Sequence, residues 1–171
     1  FSTNENDDPI SLSEYLEKMP ETQKDIYYIS AETNAQALAS PHLEGFKSKK
    51  VPVLIMTDAI DQFWLPMVGS FKEKKFTSIT QGQINLDELD AKNKDKKKDD
   101  NSEKEKQDKE YVDLVAQLKV VLGEQVKDIR LSSKLTDSPV CLVADEGDMD
   151  IAMEQLMAQR DTNYKGAPRI L

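Results

Sequence analysis

The first half of the chain alternates between short apolar runs and segments of helical composition. "DIYYIS" and "VPVLIMTD" are continuously apolar over residues 26–29 and 53–56. Such runs are typical of parallel strands that are covered on both faces, because a strand with one wet face would alternate with polar residues. Between them, "NAQALASPHLEGFKSKK" is helical in composition but interrupted at Pro41, which predicts two short helices or one kinked helix. Strand, helical crossover and strand predict a βαβ unit within α/β/α layers.

Two further helices and a third strand flank this unit. "SLSEYLEKMP" predicts a short helix in which Ser11 and Glu14 form a capping box and Pro20 ends the helix. "AIDQFWLPMVGSF" predicts an apolar helix or a helix followed by a loop, and "KKFTSIT" predicts an edge strand. The first module of the fold therefore spans residues 1–89.

Residues 90–110 differ in composition from the rest of the chain. Sixteen of these 21 residues are charged, eight of them lysines and eight of them carboxylates. An arm that binds nucleic acid would carry charge of one sign, whereas this run has no net charge. It indicates a solvated linker or a helical lead-in, and it marks a domain boundary.

The second half, residues 111–171, predicts an α+β module. "YVDLVAQLKVVLG" predicts an amphipathic helix that ends at Gly123, with an apolar stripe of Val112, Val115, Leu118, Val121 and Leu122. "VKDIRLS" alternates as a half-buried strand does, and residues 140–144 predict a second, apolar strand. A helix is then predicted over residues 148–159.

Methionine recurs along this last helix. Met149, Met153 and Met157 are four residues apart, so on one continuous helix they would drift by only about 40° per step and share a face with Leu156. We call these four residues the methionine ridge. Its spacing is that of a core-facing stripe, but methionine is also the flexible residue of adaptable contact surfaces. Phe63 and Trp64, which follow the second strand, have the same two interpretations.

Composition excludes several classes of function. The formal net charge of -9 argues against a nucleic-acid-binding surface. No apolar run approaches the roughly eighteen residues of a membrane span, and the N-terminus lacks the pattern of a secretory signal. Cys141 is the one cysteine, which suits a reducing compartment, so we expect a cytoplasmic protein.

No catalytic or metal-binding constellation is visible. The six glycines form no phosphate-binding motif, and His42, beside Pro41, is predicted to be a surface or capping residue. The cluster of Asp145, Glu146, Asp148 and Asp150 lacks the spacing of a calcium loop and fits the start of a helix better. Asp58, at a strand end, leaves open a small α/β ligand-binding or phosphoacceptor domain.

Several longer stretches together resemble the ninety-kilodalton heat-shock chaperone family in its bacterial, HtpG-type, form. They are "STNENDDPISLSEYLEKM", "QKDIYYISAET", "SPHLEGFKSKKVPVLIMTDAID" and "VVLGEQVKDIRLSSKLTDSPVCLVAD". The resemblance implies that residues 1–89 are the small α/β/α subdomain of the middle domain. Residues 90–110 would be a charged linker or helical lead-in, and residues 111–171 a truncated α+β C-terminal domain without its dimerisation helices.

The resemblance also implies which activities this segment lacks. In that family ATP and magnesium bind in a separate N-terminal domain, and a catalytic arginine lies earlier in the middle domain. We therefore expect no enzyme activity and no cofactor in this segment, within an ATPase parent. The parent forms a homodimer through the missing helices, so the segment itself is expected to be monomeric.

Finally, the resemblance implies a binding role for both apolar sets. The family contacts partly unfolded client proteins through an aromatic residue after its "ID" dipeptide and through a short amphipathic helix of its C-terminal domain. Phe63, with Trp64 beside it, stands at the first place, and Met149, Met153, Leu156 and Met157 stand at the second. The alternatives are a purely structural connector, in which both apolar sets are buried, and the small ligand-binding domain around Asp58.

Overall fold

The structure is a computed structural model that describes residues 1–3, 8–86, 101–161 and 164–171, with the backbone alone for 101–110. Its strands are β1 (Ser2–Thr3), β2 (Ile26–Ser30), β3 (Leu54–Met56), β4 (Ser70–Phe71), β5 (Lys74–Ser78), β6 (Val126–Asp128) and β7 (Arg169–Ile170). Its α-helices are α1 (Leu12–Lys18), α2 (Asn34–Leu38), α3 (Glu44–Ser48), α4 (Asp61–Val68), α5 (Asn101–Leu122) and α6 (Ile151–Arg160).

Five strands form one sheet in the order β1-β3-β2-β5-β4. β2 runs parallel to both β3 and β5, and the two-residue strands β1 and β4 pair antiparallel at the two edges. The βαβ prediction is therefore confirmed. The prediction of an edge strand over "KKFTSIT" is wrong, because β4 pairs with β5 through a tight turn and takes the edge position. A two-residue strand such as β4 has no periodicity to detect in a sequence.

Apolar residues cover both faces of this sheet. Successive residues of β2 point to opposite faces, so that Ile26 packs with Tyr15 of α1 and Leu65 of α4, while Ile29 packs with Phe46 of α3. For the crossover between β2 and β3, the sequence predicted one kinked helix or two short helices. The structure has two short helices, α2 and α3, with a 3₁₀ turn at Pro41–Leu43 between them. The chain thus has an α/β fold with helices on both faces of its main sheet.

Helix α1 begins as the sequence predicted. The Ser11 hydroxyl accepts a hydrogen bond from the Glu14 backbone N–H at 3.2 Å, and the Glu14 carboxylate accepts one from the Ser11 N–H at 2.7 Å. These two bonds satisfy backbone N–H groups at the helix end that would otherwise need water. The backbone N–H and the hydroxyl of Ser11 both donate to the Glu14 carboxylate, and this lowers the pKa of Glu14.

The second half of the chain departs further from its predicted elements. Helix α5 includes residues 101–110, as the helical lead-in interpretation of the charged run predicted, but Val112 and Val121 of its apolar stripe are exposed. Residues 140–144 form no regular strand; Val143 and Ala144 each make one isolated bridge, so that prediction is wrong. Helix α6 begins at Ile151 rather than at residue 148.

The second half packs against the first through polar contacts as well as backbone pairing. The carboxylate of Glu44 accepts hydrogen bonds from the backbone N–H groups of Thr136, Asp137 and Ser138 at 2.8, 3.0 and 3.1 Å, and from the Ser138 hydroxyl. Each of the two apolar clusters of the described structure consists of residues from the first half alone. Contacts such as those of Glu44 therefore orient the described part of the second half.

Candidate functional site

Helix α4 is fixed at its start by Asp61, a buried carboxylate. One carboxylate oxygen of Asp61 accepts a hydrogen bond from the indole N–H of Trp64 at 2.6 Å, and the other accepts one from the Asp58 backbone N–H at 3.3 Å. Gly69 ends the helix with φ 66°, and its N–H donates to the Leu65 carbonyl. Both ends of this short helix are therefore specified by local hydrogen bonds.

One face of α4 packs on the sheet. Leu65 is fully buried in the core, and Trp64 is half-buried against it. The Trp64 ring lies 5.6 Å from the ring of Phe76, edge to face, and 6.1 Å from that of Phe1. Trp64 is thus held by a hydrogen bond and two aromatic contacts, as a core residue is.

The opposite face of α4 is apolar and exposed. Phe63 is 38% exposed, Ile60 64% and Met67 85%, and Val68 is exposed beside them. Ile60, Phe63 and Met67 are separated by three and four residues, so they lie along one side of the helix. We call these four residues the α4 patch. The sequence pointed to Phe63 alone among them, although Ile60 and Met67, three residues before it and four after it, have the spacing of the same stripe.

Helix α6 starts with a side-chain cap. One carboxylate oxygen of Asp150 accepts a hydrogen bond from the Ala152 backbone N–H at 3.0 Å. The prediction that an acid of this cluster starts the helix is confirmed. Asp145 and Asp148 pair instead with Lys127, at 2.9 and 3.0 Å, which lowers the pKa of Asp145 and raises that of Lys127. Among the described residues no group of three or more His, Cys, Asp or Glu side chains could hold a metal ion.

Met153, Leu156 and Met157 of the methionine ridge lie on the side of α6 that faces away from the first half of the chain, and Met149 precedes the helix. Met149 is 41% exposed, while Met153, Leu156 and Met157 are half-buried, and no residue of the helix is fully buried. The other side of the helix, with Ala152, Gln155 and Gln159, lines a groove of about 500 Å³ against residues 29–42. The helical residues of the ridge and those of the groove are thus on different sides of α6.

The two apolar sets belong to different elements. The structure keeps Phe63 and Trp64 together on α4, and Met153, Leu156 and Met157 together on α6, with Met149 just before that helix. Client binding by these residues stays a prediction. Trp64 differs from the others in being held by fixed contacts.

Two residues considered for other chemistry have different surroundings. His42 is buried, contrary to the prediction of a surface residue, and burial together with the nearby Lys134 lowers the pKa of His42 to about 4. It sits under the second half of the chain, which the sequence pattern did not reveal. Asp58 is exposed, and it lines neither the groove beside α6 nor the cavity of about 1100 Å³ beside β5.

No helix in the described ranges has the length and apolar character needed to cross a bilayer.

Comparison with known proteins gives consistent matches along the chain. The description of the matching family is "Hsp90 protein", and the match covers residues 1–168. The chain is 43% identical over 171 residues to the chaperone protein HtpG of Roseobacter denitrificans, covering 100% of this chain and 27% of that protein. It is 41% identical over 170 residues to the HtpG of Streptomyces coelicolor, covering 99% of this chain and 26% of that protein.

A third relative gives the same proportions. The HtpG of Psychromonas ingrahamii is 43% identical over 162 residues, which cover 93% of this chain and 25% of that protein. The chain therefore spans about a quarter of the length of the curated relatives it matches.

Proposed function

This chain belongs to the Hsp90 protein family, and we propose that it is a segment of an ATP-dependent, cytoplasmic molecular chaperone, in which it binds partly unfolded client proteins and transmits domain motion. ATP and magnesium would bind in a domain outside this chain, and the homodimer contacts would also lie outside it. The segment contributes apolar surface and a rigid connection rather than catalysis.

The observation that carries the proposal is the exposure of the α4 patch. Met67 is 85% exposed although Leu65, two residues earlier, is fully buried. The same helix therefore buries one apolar face and leaves the other in water. Fully burying a side chain such as Met67 or Phe63 gives about 1.5–3 kcal/mol, and contact with a fluctuating chain realises part of that.

Weak contacts of this kind suit a chaperone. A client with exposed apolar residues gains a little from the α4 patch and a little from the methionine ridge, without a tight pocket that would select one sequence. When several patches are linked in one molecule, the second contact benefits from a high effective concentration. Clients are then held broadly and released when the domains move.

The contacts between the two halves support the second part of the proposal. The carboxylate of Glu44 on α3 accepts hydrogen bonds from three consecutive backbone N–H groups of the second half. The carboxylate of Asp150, at the start of α6, accepts hydrogen bonds from the hydroxyl groups of Ser78, the last residue of β5, and Thr80, just after it. Motion applied to the first half would therefore be carried to α6. The proposal therefore includes the connecting role that the structural-connector alternative assigned to this chain.

The test is suppression of client aggregation by the full-length protein that contains this segment. We expect Phe63→Ser/Met67→Ser and Met149→Ser/Met153→Ser each to raise the concentration needed for half-maximal suppression. Val120→Ser/Val121→Ser is the matched control, since both valines are more than 70% exposed but lie on α5, outside both sets. Trp64→Phe should lower stability with little effect on holding.

Two outcomes would contradict the proposal. If both double variants suppress aggregation as the wild type does, neither apolar set binds clients. If the α5 control weakens suppression equally, the effect reflects general surface hydrophobicity rather than these sites.

A further inference from the structure

The position of Met149 relative to α6 is set by something other than helix geometry. The sequence predicted one continuous helix over residues 148–159, which would have fixed Met149 on the face of Met153. In the structure the helix begins at Ile151, and its cap residue Asp150 has extended backbone angles, φ -56° and ψ 146°. The direction of the Met149 side chain is therefore not set by the 3.6-residue period.

Arg169 contacts the backbone of Met149 directly. The Nη1 group of Arg169 donates a hydrogen bond to the Met149 carbonyl oxygen at 2.8 Å, across 20 positions of sequence. Arg169 is only 8% exposed. A buried guanidinium requires a counter-charge and hydrogen-bond acceptors, because removing it from water unpaired is costly.

Glu154 supplies that counter-charge from the first turn of α6. Its Oε2 atom pairs with Nη2 of Arg169, and its Oε1 atom accepts a hydrogen bond from the Ala167 backbone N–H at 2.7 Å. The approach is close enough that a Cβ atom on Gly166 would lie 2.6 Å from Glu154 Oε1. Residues 166–169 are therefore pressed against the start of α6.

The geometry points to Arg169 as the positioning residue for Met149 in the client-binding ridge. This inference rests on the proposed function. The planar fork of one guanidinium joins the carbonyl of the residue before the helix to a carboxylate within its first turn. It thereby fixes the backbone of Met149 relative to the first turn of α6, the helix that carries Met153, Leu156 and Met157. Arg169 itself touches no client; it acts through the backbone of Met149.

Three variants separate this role from general stability. Arg169→Met removes the charge and both contacts while preserving most of the side-chain volume. Arg169→Lys keeps the charge but lacks the planar fork, so it cannot make both contacts in the geometry that Arg169 has. Arg130→Met is the control, because Arg130 also pairs with a carboxylate of the second half, that of Asp128, and neither residue belongs to the ridge.

Two measurements on the full-length protein read out the result. The first is the NMR signal of the ¹³C-labelled Met149 methyl group, assigned by Met149→Leu. The second is suppression of aggregation. We expect Arg169→Met to move the Met149 methyl signal and to raise the half-suppression concentration about three-fold, consistent with the loss of one weak apolar contact. Arg169→Lys should lie between this variant and the wild type, and Arg130→Met should match the wild type.

The outcomes distinguish this inference from the proposed function. If Met149→Ser/Met153→Ser weakens suppression but Arg169→Met does not, the positioning role is wrong and client binding by the ridge stands. If the double variant has no effect, the ridge binds no client, and an unmoved Met149 signal in Arg169→Met would then also remove the positioning role. Should Arg169→Met fail to fold, the Met149 signal of Arg169→Lys decides, and a wild-type position of that signal overturns the inference.

Discussion

The carboxylate of Asp150 accepts a hydrogen bond from the hydroxyl group of Thr80 at 2.8 Å, although the two residues are 70 positions apart. The same carboxylate oxygen accepts one from the Ser78 hydroxyl at 2.5 Å, and the other oxygen caps α6 through the Ala152 N–H. Ser78 and Thr80 are buried. One side chain therefore both starts α6 and attaches this helix to the first half of the chain.

We expect Asp150→Ala to lower the free energy of unfolding by about 2–4 kcal/mol. About 1 kcal/mol of this is the lost helix cap, and the rest is the loss of a charged acceptor for two buried hydroxyl groups. Ser11→Ala is the matched control, because it removes a helix cap that makes no contact between the two halves, and it should cost about 1 kcal/mol. Urea unfolding of the purified chain measures both. Equal losses would show that the bonds to Ser78 and Thr80 contribute nothing.

Lys50 occupies a backbone conformation that favours glycine. Its φ is 53°, and it follows α3 in a hydrogen-bonded helix end, where the Lys50 N–H donates to the Lys47 carbonyl at 3.1 Å and the Val51 N–H to the Phe46 carbonyl at 2.9 Å. A side chain in the left-handed region costs about 1 kcal/mol. Lys50→Gly should therefore raise the free energy of unfolding by about 0.5–1 kcal/mol.

The control for Lys50→Gly is Gly69→Ala, because Gly69 has φ 66° and a Cβ atom added to it would meet no other atom within 4 Å. Gly69→Ala should be less stable than the wild type, because it introduces a side chain in the left-handed region, whereas Lys50→Gly removes one. Thermal unfolding of both variants is the measurement. A decrease in melting temperature for Lys50→Gly would show that the lysine side chain makes a contact worth more than the strain.

Acid should weaken the contact between the halves through Glu44. Hydrogen bonds from Ser138, Asp137 and Thr136 hold the pKa of Glu44 at about 2, below its ordinary value of 4.5. A carboxylate whose pKa is lowered by folding contributes stability above pH 4.5, and this contribution is lost as the pH falls from 4.5 towards 2. Glu44→Gln should therefore be less stable than the wild type at pH 7, and the difference should shrink over that window.

The measurement for Glu44 is urea unfolding at a series of pH values between 7 and 2. Glu73→Gln serves as the control, since Glu73 is an exposed glutamate in the β4–β5 turn. If the difference in unfolding free energy between Glu44→Gln and the wild type stayed constant across the whole range, the pH dependence could not be assigned to Glu44.

His42 should produce a second loss of stability on acidification, in a pH window above that of Glu44. Burial lowers its pKa from 6.5 to about 4, so the unfolded chain takes up a proton in this window while the native protein does not. Stability is therefore complete above pH 6.5 and falls as the pH decreases towards 4, by up to about 3 kcal/mol. The chain has one histidine, so the slope in this window can be assigned.

His42→Asn removes the titrating group. The relevant quantity is the slope of unfolding free energy against pH between 6.5 and 4, rather than the stability at any one pH, because the substitution also changes packing. We expect a much flatter profile for the variant. A slope like that of the wild type would mean that other groups cause the loss.

Local rules predicted those elements whose determinants are close together in the sequence. The capping box of Ser11 and Glu14 needs two residues that are three apart, and it forms as expected. The apolar runs at 26–29 and 53–56 gave two parallel strands because burial on both faces leaves a continuous signature. The same rules failed at residues 140–144, where an apolar run makes only isolated bridges and Val140 and Leu142 are exposed.

The candidate site was predictable in part. The sequence indicated Phe63 and the methionine ridge as candidates, but it could not separate Trp64, which packs on Phe76, from Phe63 beside it. Adjacent helix residues differ by about 100° in direction, and which of them faces the core depends on how the helix lies on the sheet. The exposure of Ile60 and Met67 follows from that same placement.

The sequence by itself thus determined the α/β class, the order of most helices and strands, and the family, because local hydrogen bonds, apolar periodicity and residue identity are properties of short stretches. Only the tertiary structure decided that Glu44 and Asp150 join the two halves, that His42 lies buried, and that Arg169 holds the carbonyl of Met149. These relationships connect residues far apart in the chain. A polar side chain at such a position looks the same in a sequence whether it is hydrated or paired, and only folding chooses its partner.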